Sequence, residues 1–396
     1  MSKQKVLIVG GGFGGAKAAL ELSGSEQFDI TLLSDQTNLR YYPALYHTAT
    51  GGSRAEASIG LTDIFDDKDV RILKGSAETI DREHQIIKTA SNQRLPYDIL
   101  ILALGVVTNY FDIKGLEKHS FGIKSVEQAE ELKKHLHDQL IEEGEPDFNY
   151  IVVGGGPTGV ELAGALATYL KDLLKHHGVQ TRKIHIDLVE AGPRLVPRMP
   201  RDISRKIARR LRKLGVKLYL GKTVNGQTAE ELMIEGKPLR SHTVVWTAGV
   251  TNHPFFKNNK FSITASGKVS VNQFLQTEPD IYVLGDNADT PYSGLAQTAL
   301  RDGEFIAQHL KTVSQGKLPE IYKPKQPVYV IPVGERWAAV QWGKLRIYGF
   351  VGWVLRRFAD LIGFHDLEPW HEALGQWMTA DDSQENCAYC LVASSK

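Results

Sequence analysis

A short apolar run from Lys5 to Val9 stops at a cluster of glycines, and a helical run, Ala16 to Leu22, follows it. The run does not alternate with polar residues, so it reads as a strand buried on both faces, as in a parallel sheet. The same succession returns at Tyr150 to Val153, with glycines from Gly154 and a helical stretch from Val160 to Leu174. Further strands of this type are expected at Asp29 to Leu33, Tyr97 to Gly105, Lys183 to Val189, Thr243 to Gly249 and Ile281 to Asp286. Strands alternating with helices predict an α/β chain.

The pattern changes near the end. Ile347, Phe350, Val351, Val354, Phe358, Leu361 and Ile362 recur at spacings of three and four. That predicts one apolar stripe on a helix, with Arg356, Arg357 and Asp360 off it. Lys344 and Arg346 flank its start, and Trp353, Trp370 and Trp377 suit a water–lipid boundary. A basic amphipathic helix of this kind lies well on an anionic leaflet. Pro369 to Met378 offers a second such stretch. Residues 344–378 are therefore expected to touch a membrane surface; packing on the chain's own domain, or a homodimer, would use the same face. Val328 to Val340 reads as a hairpin around Gly334 and Glu335.

Composition narrows the class. At 396 residues, with 42% hydrophobic and 23% charged residues, the chain has material for two or three globular domains. A net charge of +1 gives no bulk field toward nucleic acid, and none is expected as a partner. Two cysteines, Cys387 and Cys390, form neither a disulfide scaffold nor a four-ligand zinc site. His135, His137, His176 and His177 sit among charged residues and read as solvated surface, so no metal is expected. Arg205 to Lys213 is basic, but Ile207, Ala208, Leu211 and Leu214 give it a core side. Asp112 to Leu140 and Glu142 to Asn149 read as a linking helix. The start runs straight into a strand, so no signal peptide is expected. No stretch reaches the ~18 apolar residues of a membrane span.

The chemistry lies in the glycines. Gly10, Gly12 and Gly15 fit G-x-G-x-x-G, with Gly11 and Gly14 as extras. The first allows the turn, the second lets a pyrophosphate approach the backbone, and the third lets helix and strand pack closely. The helix N-terminus adds free N–H groups. Asp35, after the second strand, is placed to hold a ribose hydroxyl. Gly154, Gly156 and Gly159 repeat the motif, and Glu190 ends the strand that follows. A carboxylate there accepts from ribose hydroxyls and repels a 2′-phosphate, favouring NADH over NADPH. Arg194 nearby softens that preference. Asp286, in IYVLGD, suits the ribityl and phosphate end of a flavin. The segment GLAQTALRDG, Gly294 to Gly303, follows that strand and reads as a helix start with free N–H groups at Ala296 and Gln297.

Two fingerprints, the small-residue turns in YDILILALG and TVVWTAG, and the late Gly-Asp resemble the two-dinucleotide-binding-domain flavoproteins. ALGVVTNYFDIKG, VVGGGPTGVELAG, VEAGPRLVP and the Ala296-Gln297 pair narrow this to type II NADH dehydrogenases, the single-subunit NADH:quinone oxidoreductases. The resemblance runs nearly end to end. It implies two Rossmann-like domains, the second inserted in the first, and a C-terminal amphipathic helical membrane-associating segment. Non-covalent FAD would bind residues 1–115 and 252–325, NADH would bind 116–251, and 326–396 would carry the hairpin and amphipathic helices.

The resemblance assigns FAD to Gly10, Gly12, Phe13, Gly14, Gly15, Ser34, Asp35, Pro43, Ala77, Ala103, Gly105, Gly285, Asp286, Ala296 and Gln297. It assigns NADH to Gly154, Gly156, Pro157, Thr158, Gly159, Glu161, Glu190, Ala248 and Gly249. Glu161 would help place the nicotinamide; a carboxylate meeting the helix dipole is the alternative. Tyr42, Leu45, Gln297, Arg301 and Lys344 would line the quinone site, with Glu161 and Gln297 as the catalytic pair. The family's second glutamine is Arg301 here, which either donates to a quinone carbonyl or pairs with Asp302 or Glu304. Ala165 replaces a second glutamate of many members. The implied location is the cytoplasmic face of the cell membrane, peripherally bound. Two other readings stay open: a soluble NADH-dependent flavin reductase passing electrons to an iron–sulfur protein or oxygen, and a non-catalytic NADH-sensing flavoprotein.

Overall fold

A computed structural model describes residues 3–179 and 183–382. The first glycine strand, Gln4–Val9, lies inside a six-stranded sheet. Across that sheet run Gln276–Glu278, Ile281–Val283, Ile99–Leu102, Gln4–Val9, Phe28–Ser34 and Val70–Lys74. All neighbours are parallel except the outermost pair, Gln276–Glu278 with Ile281–Val283. The second glycine strand, Tyr150–Val153, lies in a four-stranded parallel sheet between Ile186–Glu190 and Thr243–Trp246, with Val216–Leu220 at the edge. The strand orders correspond. In each sheet the glycine strand is flanked by the strand after its helix on one side and by the strand ending in a small-residue turn on the other. The expected α/β class follows directly: strands buried on both faces need helices over them.

Ile99–Leu102 and Tyr150–Val153 are buried throughout, which is why their sequences carry no alternation. The strand expected from Lys183 begins at Ile186 and includes Glu190. Helix Arg201–Leu214 buries Ile203, Ile207, Ala208 and Leu211 and leaves Arg201, Arg205, Arg209 and Arg212 exposed, while Arg210 donates to the Val333 and Glu335 carbonyls. The long linking helix is not formed as expected. A turn at Leu116–His119 and a helix at Val126–His137, continued by a π-helical turn at Asp138–Glu142, replace it, and residues 144–149 have no regular structure. His137 is buried and His135 bonds Thr243 Oγ1 at 2.9 Å, so neither is the solvated residue expected. The two sheets are linked by a short antiparallel pair, Val106–Thr108 with Val250–Asn252.

Helix Ala296–Ser314 packs against the first fingerprint helix, Phe13–Leu22. Their approach depends on glycine: a Cβ at Gly303 would lie 2.5 Å from the Gly14 carbonyl. The C-terminal part begins with the expected hairpin, Tyr329–Pro332 and Ala338–Trp342, extended by Leu345–Gly349. Ile347 therefore belongs to a strand. The helix starts only at Phe350, after Gly349 at φ +82°. A second helix spans Trp370–Asp382. Among the described residues no helix is long and apolar enough to cross a membrane.

Candidate functional site

The first cradle is built from close backbone contacts. Gly10 has φ +114°, and a Cβ there would meet the Ala103 carbonyl oxygen at 2.2 Å. A Cβ at Gly15 would lie 1.9 Å from the Gly10 carbonyl oxygen. Gly12 differs: its backbone is extended, and a Cβ would meet nothing within 4 Å. The chain therefore leaves open space over the N-terminus of Phe13–Leu22, where helix N–H groups lack intrahelical partners. Ser34 is buried behind the loop, and Asp35 is exposed and paired with Arg40 at 3.2 Å. Ala77 is buried in the core with Leu7, Val9 and Leu33. Asp286 accepts from the Gly294 N–H at 3.0 Å, fixing the loop before Ala296–Ser314.

The second cradle repeats this geometry. Gly154 has φ +118°, and a Cβ at Gly159 would lie 1.9 Å from its carbonyl oxygen. Gly156 again faces open space, before a helix that begins at Pro157 and Thr158. Glu190 accepts from the Gly155 N–H at 2.6 Å and from the Gly192 N–H at 2.5 Å. Its carboxylate thus preorganises the loop. Arg194 is occupied by the Met199 and Pro197 carbonyls. Ala248 lies against the loop: a Cβ at Gly154 would meet its backbone N and Cα at 2.9 Å. Gly249 packs under Phe111 and the Asn109 carbonyl.

A residue missed in the sequence holds the junction between the sheets. Asn287, fully buried, accepts from the Gly105 N–H at 2.8 Å. Its Nδ2 donates to the Gly105 carbonyl and to Asn252 Oδ1, both at 2.6 Å. Lys124 is a second. It comes from between the two fingerprints, lies over the Tyr42 ring at 5.7 Å and is lowered by burial, with Asp286 opposing.

The largest surprise is polar. Arg356 and Asp360 form an i,i+4 pair at 2.9 Å, with side chains 14% and 17% exposed. They face inward, whereas Phe350, Val351, Phe358 and Ile362 on the same helix are exposed. The period identified the helix but not its orientation. Arg356 also donates to the Pro43 carbonyl at 3.0 Å. Tyr41 hydroxyl donates to Asp360 Oδ1 at 3.4 Å, stacks on Phe364, and meets Phe13 edge-on. Glu161, on Pro157–His176, completes the cluster. Burial pushes its carboxyl up to about 8, with Arg356 opposing and Asp360 adding. Asp360 is itself raised to about 6, by burial first and against Arg356.

Arg356→Met is expected to cost about 3–5 kcal/mol, because it strands a buried carboxylate. Unfolded, Asp360 ionises near ~3.9; folded without its partner, it ionises above its present value. The folded state then holds a proton the unfolded state has lost, so the deficit grows as pH rises through that window. Melting at pH 5.5 and 8.5 checks it: a larger loss at 8.5 is expected.

Other assigned residues fall as follows. Gln297 exchanges two hydrogen bonds with Val328: its Nε2 donates at 3.1 Å and its Oε1 accepts at 3.2 Å. Its side chain therefore ties the helix start to the hairpin. Arg301 donates to the Lys325 carbonyl at 3.1 Å. It does not pair with Asp302, which is buried and accepts from the Gly285 N–H and the Tyr322 hydroxyl. Leu45 is buried, Tyr42 exposed, and Lys344 sits in the exposed turn after Trp342. Cys387 and Cys390 lie outside the described residues.

Residues 4–303 match the family model for pyridine nucleotide-disulphide oxidoreductases. The chain is 29% identical to a type II NADH:quinone oxidoreductase of Mycobacterium tuberculosis, covering 91% of this chain and 85% of that protein. It is 26% identical to one from Staphylococcus aureus, covering 81% and 85%. Among solved structures it resembles NDH2 from Plasmodium falciparum in complex with NADH, with TM-score 0.86, 18% identity and coverage of 98% and 99%. The sulfide:quinone oxidoreductase of Aquifex aeolicus shares the fold at TM-score 0.75 and 17% identity, covering 90% and 89%.

Proposed function

The chain belongs to the pyridine nucleotide-disulphide oxidoreductase family, and from that premise we propose that it is a peripheral-membrane flavoenzyme that oxidises NADH and delivers both electrons to a quinone. The observation that carries this reading is the pair of glycine cradles with matching strand order, joined at the Asn287 staple. One cradle suits a resident dinucleotide and the other a visiting one. The relatives' shared NADH:quinone activity supports the assignment of donor and acceptor.

The resident group would be FAD, held without a covalent bond. Gly10, Gly12, Phe13, Gly14 and Gly15 would cradle its pyrophosphate, and Ser34, Asp35 and Ala77 would serve the adenosine end. Asp286, Gly285, Ala103 and Gly105 would hold the ribityl side, with Pro43, Ala296 and Gln297 near the ring. Bound there, the flavin supplies a hydride acceptor that returns two electrons. Lys124 adds a cation beside Tyr42 and Asp286. The start of Ala296–Ser314 adds the positive end of a helix dipole, which favours negative charge nearby.

NADH would lie on Gly154, Gly156, Pro157, Thr158 and Gly159, with Glu190 at its ribose and Ala248 and Gly249 beneath it. Glu161 would place the nicotinamide and hold a proton at its carboxyl oxygen near neutral pH. Positioning of donor against acceptor, with water excluded, is the main demand of hydride transfer. Tyr42, Leu45, Gln297, Arg301 and Lys344 would border the quinone. Since the Gln297 amide is already bonded to Val328, its backbone is the better contact.

The membrane face would be the outward row on Phe350–His365, with Trp342, Leu345, Trp370, Leu374 and Met378, all exposed. Such a row favours a lipid interface over water. Replacing Phe350, Val351, Phe358 and Ile362 together with serine is expected to abolish co-sedimentation with anionic vesicles. Turnover with a water-soluble quinone should survive.

The experiment for the function is steady-state NADH oxidation with soluble quinones, compared with oxygen and an iron–sulfur protein as acceptors. Quinone turnover well above both is expected. Strong salt dependence with an iron–sulfur partner and background rates with quinones would instead favour the soluble reductase.

A further inference from the structure

Where the C-terminal helices meet the first half of the chain, the surface opens into a cleft of about 560 Å³. Among the described residues it is lined by Thr62, Asp63, Asp66, Glu368, Glu372 and Gln376, with no lysine or arginine. Glu368, in the turn before Trp370–Asp382, is only 4% exposed. Its Oε1 accepts from Gln376 Nε2 at 2.9 Å. Among the described residues its Oε2, which is buried, receives no hydrogen bond. A buried carboxylate oxygen without a donor is costly, so such an atom calls for a ligand that brings one. Burial foremost, then the charges of Glu372 and Asp63, raise this carboxyl to about 7.

Among the described residues no three His, Cys, Asp or Glu side chains gather closely enough to hold a metal ion. The carboxylates are thus spread too widely for one inner-sphere cation. The complement is a ligand with N–H donors on a positive group, several ångströms across. Two sources carry that chemistry: a free linear polyamine, and the ethanolamine headgroup of a lipid. The second rests on the proposed membrane docking and gains from exposed Trp370 and Leu374 on the helix that carries Glu372.

We propose that this cleft binds a primary-ammonium ligand, with Glu368 as the buried acceptor and Asp63, Asp66 and Glu372 completing the anionic lining. Binding favours the ionised cleft, so affinity should fall as pH drops from 8 to 6 and Glu368 takes up a proton.

The test is calorimetric titration of the flavin-loaded full chain with spermidine at pH 8 and constant ionic strength. One saturable site is expected, weakened about tenfold by Glu372→Gln and further by Glu368→Gln. Glu372 is half-exposed, so the first variant does not depend on core repacking. No saturable heat, unchanged affinity in both variants, or tighter binding of calcium would overturn the proposal. A second arm compares vesicles with ethanolamine and choline headgroups. Preferential ethanolamine binding, lost in Glu372→Gln, identifies the headgroup; equal binding with a retained spermidine site identifies the free polyamine. Neither arm reads turnover, so failure here is separable from failure of the NADH:quinone reading.

Discussion

Gly156→Asp is expected to leave the purified protein yellow and folded but to remove its reduction by NADH. The backbone at Gly156 is extended, and a Cβ there would meet nothing within 4 Å. The substitution therefore strains no packing. It puts a negative charge where, in the proposed binding mode, a pyrophosphate would approach the helix N-terminus. Like charges ~4 Å apart repel by about 4 kcal/mol at an effective dielectric of 20, so roughly a thousandfold loss of NADH affinity is expected. Gly12→Asp makes the same change in the other cradle, also extended and open. There the expected product is a folded, colourless protein. Absorbance near the flavin bands and NADH titration distinguish the two variants. Loss of flavin from both would mean that the cradles do not serve separate ligands.

Glu161→Gln has the second-largest expected effect. With its carboxyl near 8, Glu161 is protonated at neutral pH and ionises in mildly alkaline solution. In the proposed role the protonated carboxyl helps place the nicotinamide, so turnover is expected to fall as pH rises through about 8, and glutamine to lower the rate and abolish this limb. Stability gives an independent reading. Unfolded, the carboxyl ionises near ~4.3. Between there and 8 the folded state holds a proton the unfolded state does not, so this carboxyl makes stability decline as pH rises across that window. Glu161→Gln should therefore melt higher than the parent at pH 9 and nearly equally at pH 4.5. A purely helix-capping Glu161 would show neither the alkaline limb nor the pH-dependent gain.

Much of the fold was legible because its strands are buried on both faces. Unbroken apolar runs ending in glycines appear wherever a parallel strand meets a phosphate-type turn, and Val6 to Val9 and Tyr150 to Val153 carry that mark twice. The C-terminal helix was legible only in part. A spacing of three and four says which residues share a face, not which face looks inward. Here Arg356 and Asp360 neutralise each other and bond Pro43 and Tyr41, so the charged side can turn in and the apolar side remains outside. Ile347 matched the helical spacing by coincidence, since the strand continues to Gly349. Asn287 and Lys124 left no pattern at all. Each is a single polar residue whose partners, Gly105 and Tyr42, lie far away in sequence.

The most direct measurement is anaerobic double mixing followed at the flavin bands. Oxidised protein mixed with one equivalent of NADH should bleach within milliseconds to seconds, and a soluble quinone added next should restore the full colour. A flavin that bleaches with NADH but stays colourless in excess quinone would contradict the account, as would one that NADH never bleaches.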